Sequence, residues 1–321
     1  MTSANNFNVD ILLATFNSAK FLRQQVDSIL SQDCSCWRLF IRDGGSSDKT
    51  LEMANNYCKQ YPEKIFLIKA DHPANACENF SRLLEIATAD YIMFSDHDDV
   101  WHSDKITKSL ALMTEAEHKY GGIVPIMLFS DKIVVDENLN VIANSYFQYQ
   151  KINPYRLSLN YILLQNVPNG CTMLLNRALA RIAQPIPVEA VMHDHWITLC
   201  AAAMGNIIYL KESTLLYRQH ANNVFGARRY GLNYLLNKVL GGIEPLQNRF
   251  LQNLFQAKCF LERYKNNLDS KKLKLLEDFV ELHNACFIRR YHIIFRRRIL
   301  KNGFGRNLGL FLMMLFPFKN K

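Results

Sequence analysis

Several common signatures of ligand binding are missing from this 321-residue sequence. The first predicted strand is not followed by G-x-G-x-x-G, and G-x-x-x-x-G-K-[ST] does not occur, so both usual phosphate-binding fingerprints are absent. The eight cysteines are scattered, and the one close pair, Cys34 and Cys36, does not have the spacing of a zinc or redox site. These absences argue against the usual dinucleotide, P-loop and zinc sites, and they favour reduced thiols in the cytosol.

Long apolar segments and a signal sequence are also missing. The longest apolar run, Leu308 to Phe318, has 11 residues, whereas a membrane-spanning helix needs roughly 20. The N-terminus has no charged segment followed by an apolar core, so no signal peptide is expected. Hydrophobic residues make up 49% of the chain and charged residues 21%, which excludes a disordered chain. We therefore expect a globular, cytoplasmic protein.

Acidic residues are absent beyond Glu281, although the chain as a whole has 38 basic and 29 acidic residues. The net charge of +9 therefore resides in this C-terminal tail, and the preceding body is neutral. A helical wheel separates most of the tail's arginines from the apolar side chains of Phe287, Tyr291, Ile294, Phe295 and Ile299. A basic amphipathic helix is typical of binding to an anionic membrane surface. Packing against the main body is the alternative, and nucleic acid is not expected as a partner.

The first 130 residues alternate short apolar runs with amphipathic helical patterns. Strands are predicted at Val9–Ala14, around Leu39–Ile41, at Ile65–Ile68 and at Tyr91–Phe94. This alternation predicts βαβ units and a mostly parallel α/β sheet with helices on both faces. Helical patterns dominate after a mixed middle segment. We therefore expect one domain at residues 1–226 and a basic, helical C-terminal region at residues 227–321.

Polar residues follow three predicted strands, at the edge of the sheet where α/β proteins bind ligands. The segments are Thr15-Phe16-Asn17, Asp43-Gly44-Gly45-Ser46 and Asp96-His97-Asp98-Asp99. Three carboxylates in four residues repel one another unless a cation or solvent compensates, and hard oxygen ligands suit Mg²⁺ or Mn²⁺. Such an ion would hold a phosphate-bearing substrate, whereas the alternative is a solvated turn that caps the next helix. Asp43 could accept a hydrogen bond from a nucleobase, although D-G-G-S is also an ordinary turn.

A later segment, Met192-His193-Asp194-His195-Trp196, begins an apolar helical pattern. Asp194 could act there as a general base or could simply cap the helix. A metal site formed by His193 and His195 is less favoured, because residues two apart point to different faces of a helix.

The segment Tyr217-Arg218-Gln219-His220 ends a short predicted strand. Its histidine could be a structural residue, or a third metal ligand that closes over a diphosphate. Its arginine could neutralise phosphate charge.

Six motifs in order over residues 9–226 resemble glycosyltransferase family 2 with the GT-A fold, in the rhamnosyltransferase-like branch. The matching segments are residues 14–17, 43–50, 95–101, 169–177, 192–196 and 217–223. They resemble the family's P-T-[YF]-N, D-D-G-S-x-D-x-T, S-D-Q-D-D-x-W, N-G-x-x-x-x-N-R, M-H-D-x-W and Y-R-Q-H-x-x-N. Two positions depart from the pattern. Gly44 replaces the second Asp of D-D-G-S, which is expected to loosen base or ribose recognition, and His97 replaces the common Gln.

The resemblance implies a role for each matching residue. Those implied in nucleotide-sugar binding are Thr15, Phe16, Asn17, Asp43, Asp96, Asn169, Gly170 and Arg218. Those implied in binding Mg²⁺ or Mn²⁺ are Asp98, Asp96 and His220, with Asp98 the more direct ligand. Asp194 would be the catalytic base.

The activity that the resemblance implies is a metal-dependent, inverting glycosyl transfer. The donor would be a UDP- or dTDP-sugar, and the acceptor a glycan or lipid-linked molecule at the inner face of the cell membrane, in surface-polysaccharide synthesis of the O-antigen or capsule type. A catalytically inactive nucleotide-sugar-binding or scaffold protein is the alternative, supported by Gly44 alone. A hydrolase that uses the Asp cluster with His193 and His195 is less favoured, since it leaves the turns at Thr15 and Asp43 unexplained.

Overall fold

One mixed β-sheet organises the protein, whose computed structural model describes residues 8–221 and 242–318. Its strands are β1 Val9–Thr15, β2 Trp37–Asp43, β3 Ile65–Ile68, β4 Tyr91–Ser95, β5 Val100–Trp101, β6 Ile126–Val135, β7 Val141–Ala143, β8 Met173–Asn176 and β9 Asn206–Arg218. Their order is β3-β2-β1-β4-β8-β6-β9-β5, and β7 pairs with β6. The predicted α/β sheet, with a C-terminal helical extension, is confirmed.

Strand direction brings the predicted motifs to one edge of this sheet. The strands β3, β2, β1 and β4 are parallel to one another, as the alternating pattern predicts. The strand β8 then lies antiparallel between β4 and β6, and β6 pairs in parallel with β9. The carboxyl ends of β1, β2, β4, β6 and β9 therefore meet at the same edge, together with the start of β8.

Within residues 8–221 there are eight α-helices, and most of them cover the sheet. They are α1 Leu22–Leu30, α2 Thr50–Gln60, α3 Ala76–Ile86, α4 Lys105–Tyr120, α5 Tyr146–Gln150, α6 Leu159–Ile162, α7 Arg177–Ala183 and α8 His193–Met204. Every residue of β1 is buried, as expected of a parallel strand covered on both faces. Leu12 belongs to the apolar cluster with α3, α7 and α8, whereas Ile11 and Leu13 face the cluster with α1 and α4. The two-residue period of a strand thus divides the core.

The middle of the chain differs from the sequence pattern in two ways. The apolar runs at Ile207–Leu210 and Leu215–Tyr217 belong to one strand, β9, whose register against β6 shifts near Asp131. The polar residues between the runs made them look like two separate strands. The short elements β5, β7, β8, α5 and α6 were not predicted, because each has too few residues to show a period.

Four more helices lie in residues 242–318: α9 Glu244–Tyr264, α10 Ser270–Glu281, α11 Phe287–Arg297 and α12 Phe304–Met314. They share the larger apolar cluster with α8, where the ring of Trp196 lies 5.5 Å from that of Phe260 and 6.1 Å from that of Tyr264. The predicted domain boundary at residues 226–227 lies outside the described residues, so the division into two domains stays a prediction. Asn223 of the last motif lies outside them too.

Part of the tail's apolar side is buried. Ile294 of α11 and Ile299, which follows α11, are fully buried, as the alternative of packing against the body predicts. Arg290 is buried as well, and its guanidinium donates to the carbonyl oxygens of Met314 and Phe316 at 3.3 and 2.7 Å. Part of the predicted basic face is therefore structural.

No helix in the described ranges combines the length and the apolar character that crossing a membrane requires.

Candidate active site

The turn after β2 is built around the carboxylate of Asp43, which is buried. Thr15 Oγ1 and Ser46 Oγ donate to its Oδ1 at 2.8 and 2.6 Å, and the N–H groups of Gly45 and Ser46 donate to its Oδ2 at 2.9 and 2.7 Å. Four hydrogen bonds use the acceptor capacity of a carboxylate. Asp43 thus joins the ends of β1 and β2. Its contact with a nucleobase stays a prediction, and a hydrogen bond from the base would have to replace one of these four.

The residues after β1 form the rim of the same turn. Asn17 has a left-handed backbone, with φ at 47°, and its Oδ1 accepts a hydrogen bond from the Ser47 N–H at 2.9 Å. The side chain of Phe16 is 56% exposed. An exposed aromatic ring beside a rigid turn offers a face on which a planar base can stack.

Gly44 lies where no side chain fits. A Cβ built at this position would lie 2.7 Å from the carbonyl oxygen of Ala74 and 2.9 Å from Nδ2 of Asn79. The Gly44 N–H also donates to the carbonyl oxygen of Thr15 at 2.7 Å. The segment before α3 thus fills the space of the family's second Asp, and close packing accounts for this departure.

The Asp cluster follows β4 at the same edge and leads into β5. The next helix, α4, begins after Asp104, which makes no capping bond. The helix-capping alternative for the cluster is therefore wrong. Asp99 is fully buried, and among the described residues its Oδ2 has no hydrogen-bond partner. Burial, with the charges of Asp98 and Asp96, raises the pKa of Asp99 well above its usual range.

The end of β9 brings His220 to this cluster. Its Nε2 lies 2.8 Å from Oδ2 of Asp98, and its ring stacks on Phe21 at 4.8 Å. Burial alone would raise the pKa of Asp98, but the hydrogen bond with His220 and the charges of His97 and His220 outweigh it and lower that pKa. Asp98 is therefore held ionised.

Arg218 is buried beside the same loop. Its Nε donates to the carbonyl oxygen of Asp98 at 2.8 Å, its Nη1 to that of Glu137 at 2.5 Å, and its Nη2 to Oε1 of Gln24 at 2.6 Å. The guanidinium thus fixes the backbone of the Asp cluster. A contact between Arg218 and phosphate stays a prediction.

The residues present fit a divalent cation. Asp96 and Asp98 offer carboxylate oxygens and His220 an imidazole nitrogen, a donor set that Mg²⁺ and Mn²⁺ accept. Asp98 and His220 are close enough for one ion to take the place of their hydrogen bond. Asp96, Asp99 and Cys171 also place ligand atoms within 4.8 Å of one another.

Asp194 lies in the first turn of α8. The N-cap position belongs to Met192, so the capping alternative for Asp194 is wrong. The Gly170 N–H donates to Oδ2 of Asp194 at 3.2 Å. Burial raises the pKa of Asp194 to about 6, although the N–H groups of Gly170 and His195 oppose the shift. A carboxylate with this pKa suits proton abstraction near neutral pH.

The two histidines beside Asp194 point to different surroundings. His193 packs between aromatic rings, with centroids 4.0 Å from Phe80 and 5.0 Å from Phe94, and burial lowers its pKa to about 3. Within the described ranges, neither of its ring nitrogens has a hydrogen-bond partner. Nε2 of His195 instead lies 2.7 Å from the carbonyl oxygen of Ile162. This divergence leaves the alternative of a metal pair without support.

Sequence reasoning missed the buried groups beneath the site. Lys105 and Lys132 are both buried, and Lys105 Nζ donates to the carbonyl oxygen of Cys171 at 2.8 Å. Asn166, near the predicted Asn169, was also missed. In the part of the chain that is described, both amide atoms of Asn166 and the Oδ1 of Asn169 are buried without a partner. The one signal of a buried polar group in the sequence was Lys132, a lysine inside the apolar pattern of β6.

The sequence is similar to those of known glycosyltransferases. The sequence model of Glycosyl transferase family 2 matches residues 10–182, more than half of the chain. The dTDP-rhamnosyl transferase RfbG of Shigella flexneri is 26% identical over 229 residues, which cover 67% of this chain and 74% of that protein. An uncharacterized glycosyltransferase of Nostoc sp., alr2836, is also 26% identical, over 68% of this chain and 67% of its own length.

Solved structures share the fold. The S. aureus TarS 1-349 structure in complex with UDP-GlcNAc has a TM-score of 0.52 and 17% identity, and the match covers 91% of this chain and 84% of that one. A mannosyltransferase of Pyrobaculum calidifontis, in complex with GDP-Man and Mn²⁺, has a TM-score of 0.51 and 12% identity, covering 89% and 72%.

Proposed function

The chain belongs to glycosyl transferase family 2 and is a glycosyltransferase, and from this premise we propose that it carries out an inverting transfer from a UDP- or dTDP-sugar. The acceptor is a hydroxyl of a glycan or lipid-linked molecule in surface-polysaccharide synthesis. The observation that carries the proposal is the half-buried carboxylate of Asp194, bonded to the Gly170 N–H and with its pKa at about 6, at the sheet edge that also holds the Asp43 turn and the Asp cluster. The rhamnosyl transferase relative favours a dTDP-sugar as the first donor to test.

Asp194 is the catalytic base of this transfer. Its carboxylate accepts the proton of the acceptor hydroxyl while that oxygen attacks the anomeric carbon. The bond between the anomeric carbon and the diphosphate oxygen breaks on the opposite face, so the configuration inverts and the nucleoside diphosphate leaves. The Gly170 N–H holds Asp194 in position through its hydrogen bond. A positioned base of this kind contributes about 10²–10⁴-fold to the rate.

The donor is held by the loops at the sheet edge. In this proposal Thr15, Phe16, Asn17 and Asp43 contact the nucleoside, and Asp96, Asn169, Gly170 and Arg218 contact the sugar diphosphate. Asp98, Asp96 and His220 would hold Mg²⁺ or Mn²⁺. Such an ion, when bound, supplies positive charge that stabilises the diphosphate as it leaves. Arg218 supports this arrangement by fixing the carbonyl group of Asp98.

The second part of the proposal concerns location. The apolar face, as defined here, is the set of exposed apolar side chains on α11, on α12 and in the two residues after α12: Phe287, Ile288, Phe295, Phe304, Leu308, Leu312, Leu315 and Phe316. The exposed side chains of Arg296 and Arg298 belong to the same segment, and so does Arg289, which is ion-paired with Glu281. Exposed apolar surface beside arginines matches an anionic lipid surface, where each basic residue contributes about 1 kcal/mol. We therefore place the enzyme on the cytoplasmic face of a membrane, with a lipid-linked acceptor.

Turnover and donor binding can be tested together. Thermal shift would be measured with a panel of nucleotide sugars, with Mn²⁺, Mg²⁺ or EDTA, on the wild type and on Asp98→Ala, since ligands of the folded state raise the melting temperature. We expect a metal-dependent shift with one nucleotide class, lost in Asp98→Ala, and release of nucleoside diphosphate when an acceptor is added. Donor binding without turnover, over a panel of glycan and lipid-linked acceptors, would instead indicate a binding or scaffold protein.

A further inference from the structure

Lys132 of β6 is a buried lysine that takes no part in the mechanism above. Its side chain is on the inside of the protein, with the residue 2% exposed. The ammonium lies 3.3 Å from the centre of the Tyr217 ring, 4.4 Å from that of Tyr146 and 3.8 Å from Sγ of Cys171. Within residues 8–221 and 242–318, no carboxylate lies at salt-bridge distance from it. A buried ammonium is costly unless nearby negative charge compensates it.

The compensating charge lies near Cys171. Its sulfur is within 4.8 Å of a carboxylate oxygen of Asp96 and of one of Asp99, and 3.8 Å from the ammonium, so one thiol is a common neighbour of the ammonium and both carboxylates. The charge of Lys132 acts on both carboxyl groups, in the direction that lowers the pKa of each. The Oδ2 of Asp99 is one of the buried oxygens that lack a hydrogen-bond partner among the described residues. Charge at this range acts strongly inside a protein, because little water screens it.

Lys132 keeps its charge in this environment. Burial alone would lower its pKa, but electrostatic interactions with Cys171, Tyr217 and Tyr146, and after them with Asp99, raise that pKa above the usual range for lysine. Lys105 also feels the charges of Asp99 and Asp96, but for this lysine burial outweighs them and lowers the pKa to about 8. Its Nζ donates to the carbonyl oxygen of Cys171 and to Oγ1 of Thr214. The two buried lysines are therefore not equivalent.

We propose that Lys132 is an internal counter-cation of the Asp cluster, which offsets the charge of Asp99 and leaves Asp98, Asp96 and His220 to bind the divalent ion. The three ligand atoms of Asp96, Asp99 and Cys171 resemble a metal site, but an ion bound there would meet the fixed ammonium. Lys132 thus selects one of two neighbouring positions for the metal. The selection of the metal position rests on the proposed metal-dependent function. The role of Lys132 as a counter-cation does not.

The test uses Mn²⁺ alone, titrated into the full-length protein by calorimetry without donor. In Lys132→Met, the cluster loses a positive charge and keeps a side chain of similar shape, so Mn²⁺ should bind about ten-fold more tightly or better. Lys132→Arg keeps the charge and should bind Mn²⁺ as the wild type does. Lys105→Met is the matched control and should change the affinity less than Lys132→Met. Unchanged or weaker Mn²⁺ binding in Lys132→Met would overturn the proposal.

Protein stability provides a second, independent measurement. Lys132→Met should lower the melting temperature in EDTA, and the added substitution Asp99→Asn should recover much of the loss, because it removes the uncompensated charge. If the double variant is no more stable than Lys132→Met, Lys132 is not a counter-cation of Asp99. A wild type that binds no Mn²⁺ would argue against the proposed metal dependence only. Recovery by Asp99→Asn would still support the counter-cation in that case.

Discussion

The backbone N–H of Gly170 donates a hydrogen bond to Oδ2 of Asp194 at 3.2 Å. This bond joins the turn before β8 to the first turn of α8, two segments separated by more than 20 residues of sequence. It also favours the ionised carboxylate, whereas burial favours the protonated one. The balance leaves the pKa of Asp194 at about 6, so most molecules have an ionised base at neutral pH.

Replacing Asp194 with Asn should remove the proton acceptor while keeping the shape of the side chain. We expect kcat to fall by at least about 10²–10⁴-fold, because a positioned base contributes that much. The melting-temperature shift caused by donor should persist, since Asp194 does not hold the nucleotide. Asp90→Asn, at an exposed carboxylate before β4, is the control and should keep full activity. Near-normal turnover in Asp194→Asn would remove Asp194 from its catalytic role.

The raised pKa of Asp194 predicts an acid limb in the pH profile. The base is active when it is ionised, so kcat/KM should be flat above its pKa and should fall about ten-fold per pH unit below about 6. An unshifted Asp would place this limb near 4. Initial rates between pH 4.5 and 8, at saturating metal, distinguish the two positions. A limb near 4 would show that the carboxylate is solvated in the active enzyme.

Gly170 cannot carry a side chain while His193 holds its place. A Cβ at residue 170 would lie 2.6 Å from Nε2 of His193, below any normal contact. Gly170→Ala should therefore move the N–H away from Asp194, lower kcat by about ten-fold or more, and reduce the melting temperature. Adding His193→Ala should restore part of the activity, because it makes room for the methyl group. If the double variant shows only the sum of the two single losses, the contact between residues 170 and 193 does not control the base.

Restoring the family's Asp at position 44 should destabilise this protein. The Cβ of Gly44→Asp would lie 2.7 Å from the carbonyl oxygen of Ala74, and backbone cannot yield as a side chain can. We expect a melting temperature several degrees lower and weaker donor binding. Gly122→Asp is the control, because a Cβ there meets no atom within 4 Å. Tighter donor binding in Gly44→Asp, at unchanged stability, would mean that the missing carboxylate and not packing explains the departure.

Local sequence pattern was enough to predict the sheet edge that carries the site. The apolar runs of β1, β2 and β4 are continuous, and polar residues follow each of them. Because parallel strands end at one edge, Thr15, Asp43 and Asp96 were expected to lie near one another. The hydrogen bond between Thr15 and Asp43 agrees with this reasoning.

Contacts between segments that are distant in the sequence could not be predicted from local sequence pattern. Nothing near Gly44 in sequence indicates that Ala74 approaches it, since that contact depends on how the segment before α3 folds back. The period of α11 likewise predicts two faces but not which residues meet the body, so Arg290 was assigned to the basic face although it is buried. Lys132 shows the same limit. A strand pattern predicts which side chains share a face of the sheet, but it does not predict which carboxylates of other segments lie near Lys132.

The apolar face of α11 and α12 predicts binding to anionic lipid. Phe295 and Phe304 are 59% and 84% exposed, and burying such a side chain contributes about 1.5–3 kcal/mol. Phe295→Ser with Phe304→Ser should therefore reduce flotation with phosphatidylglycerol vesicles by at least about ten-fold. Ile123→Ser with Val188→Ser is the matched control, because these side chains are 92% and 95% exposed outside α11 and α12. The apolar face does not bind lipid if the two double variants float equally. The same conclusion follows if the wild type does not float with anionic vesicles.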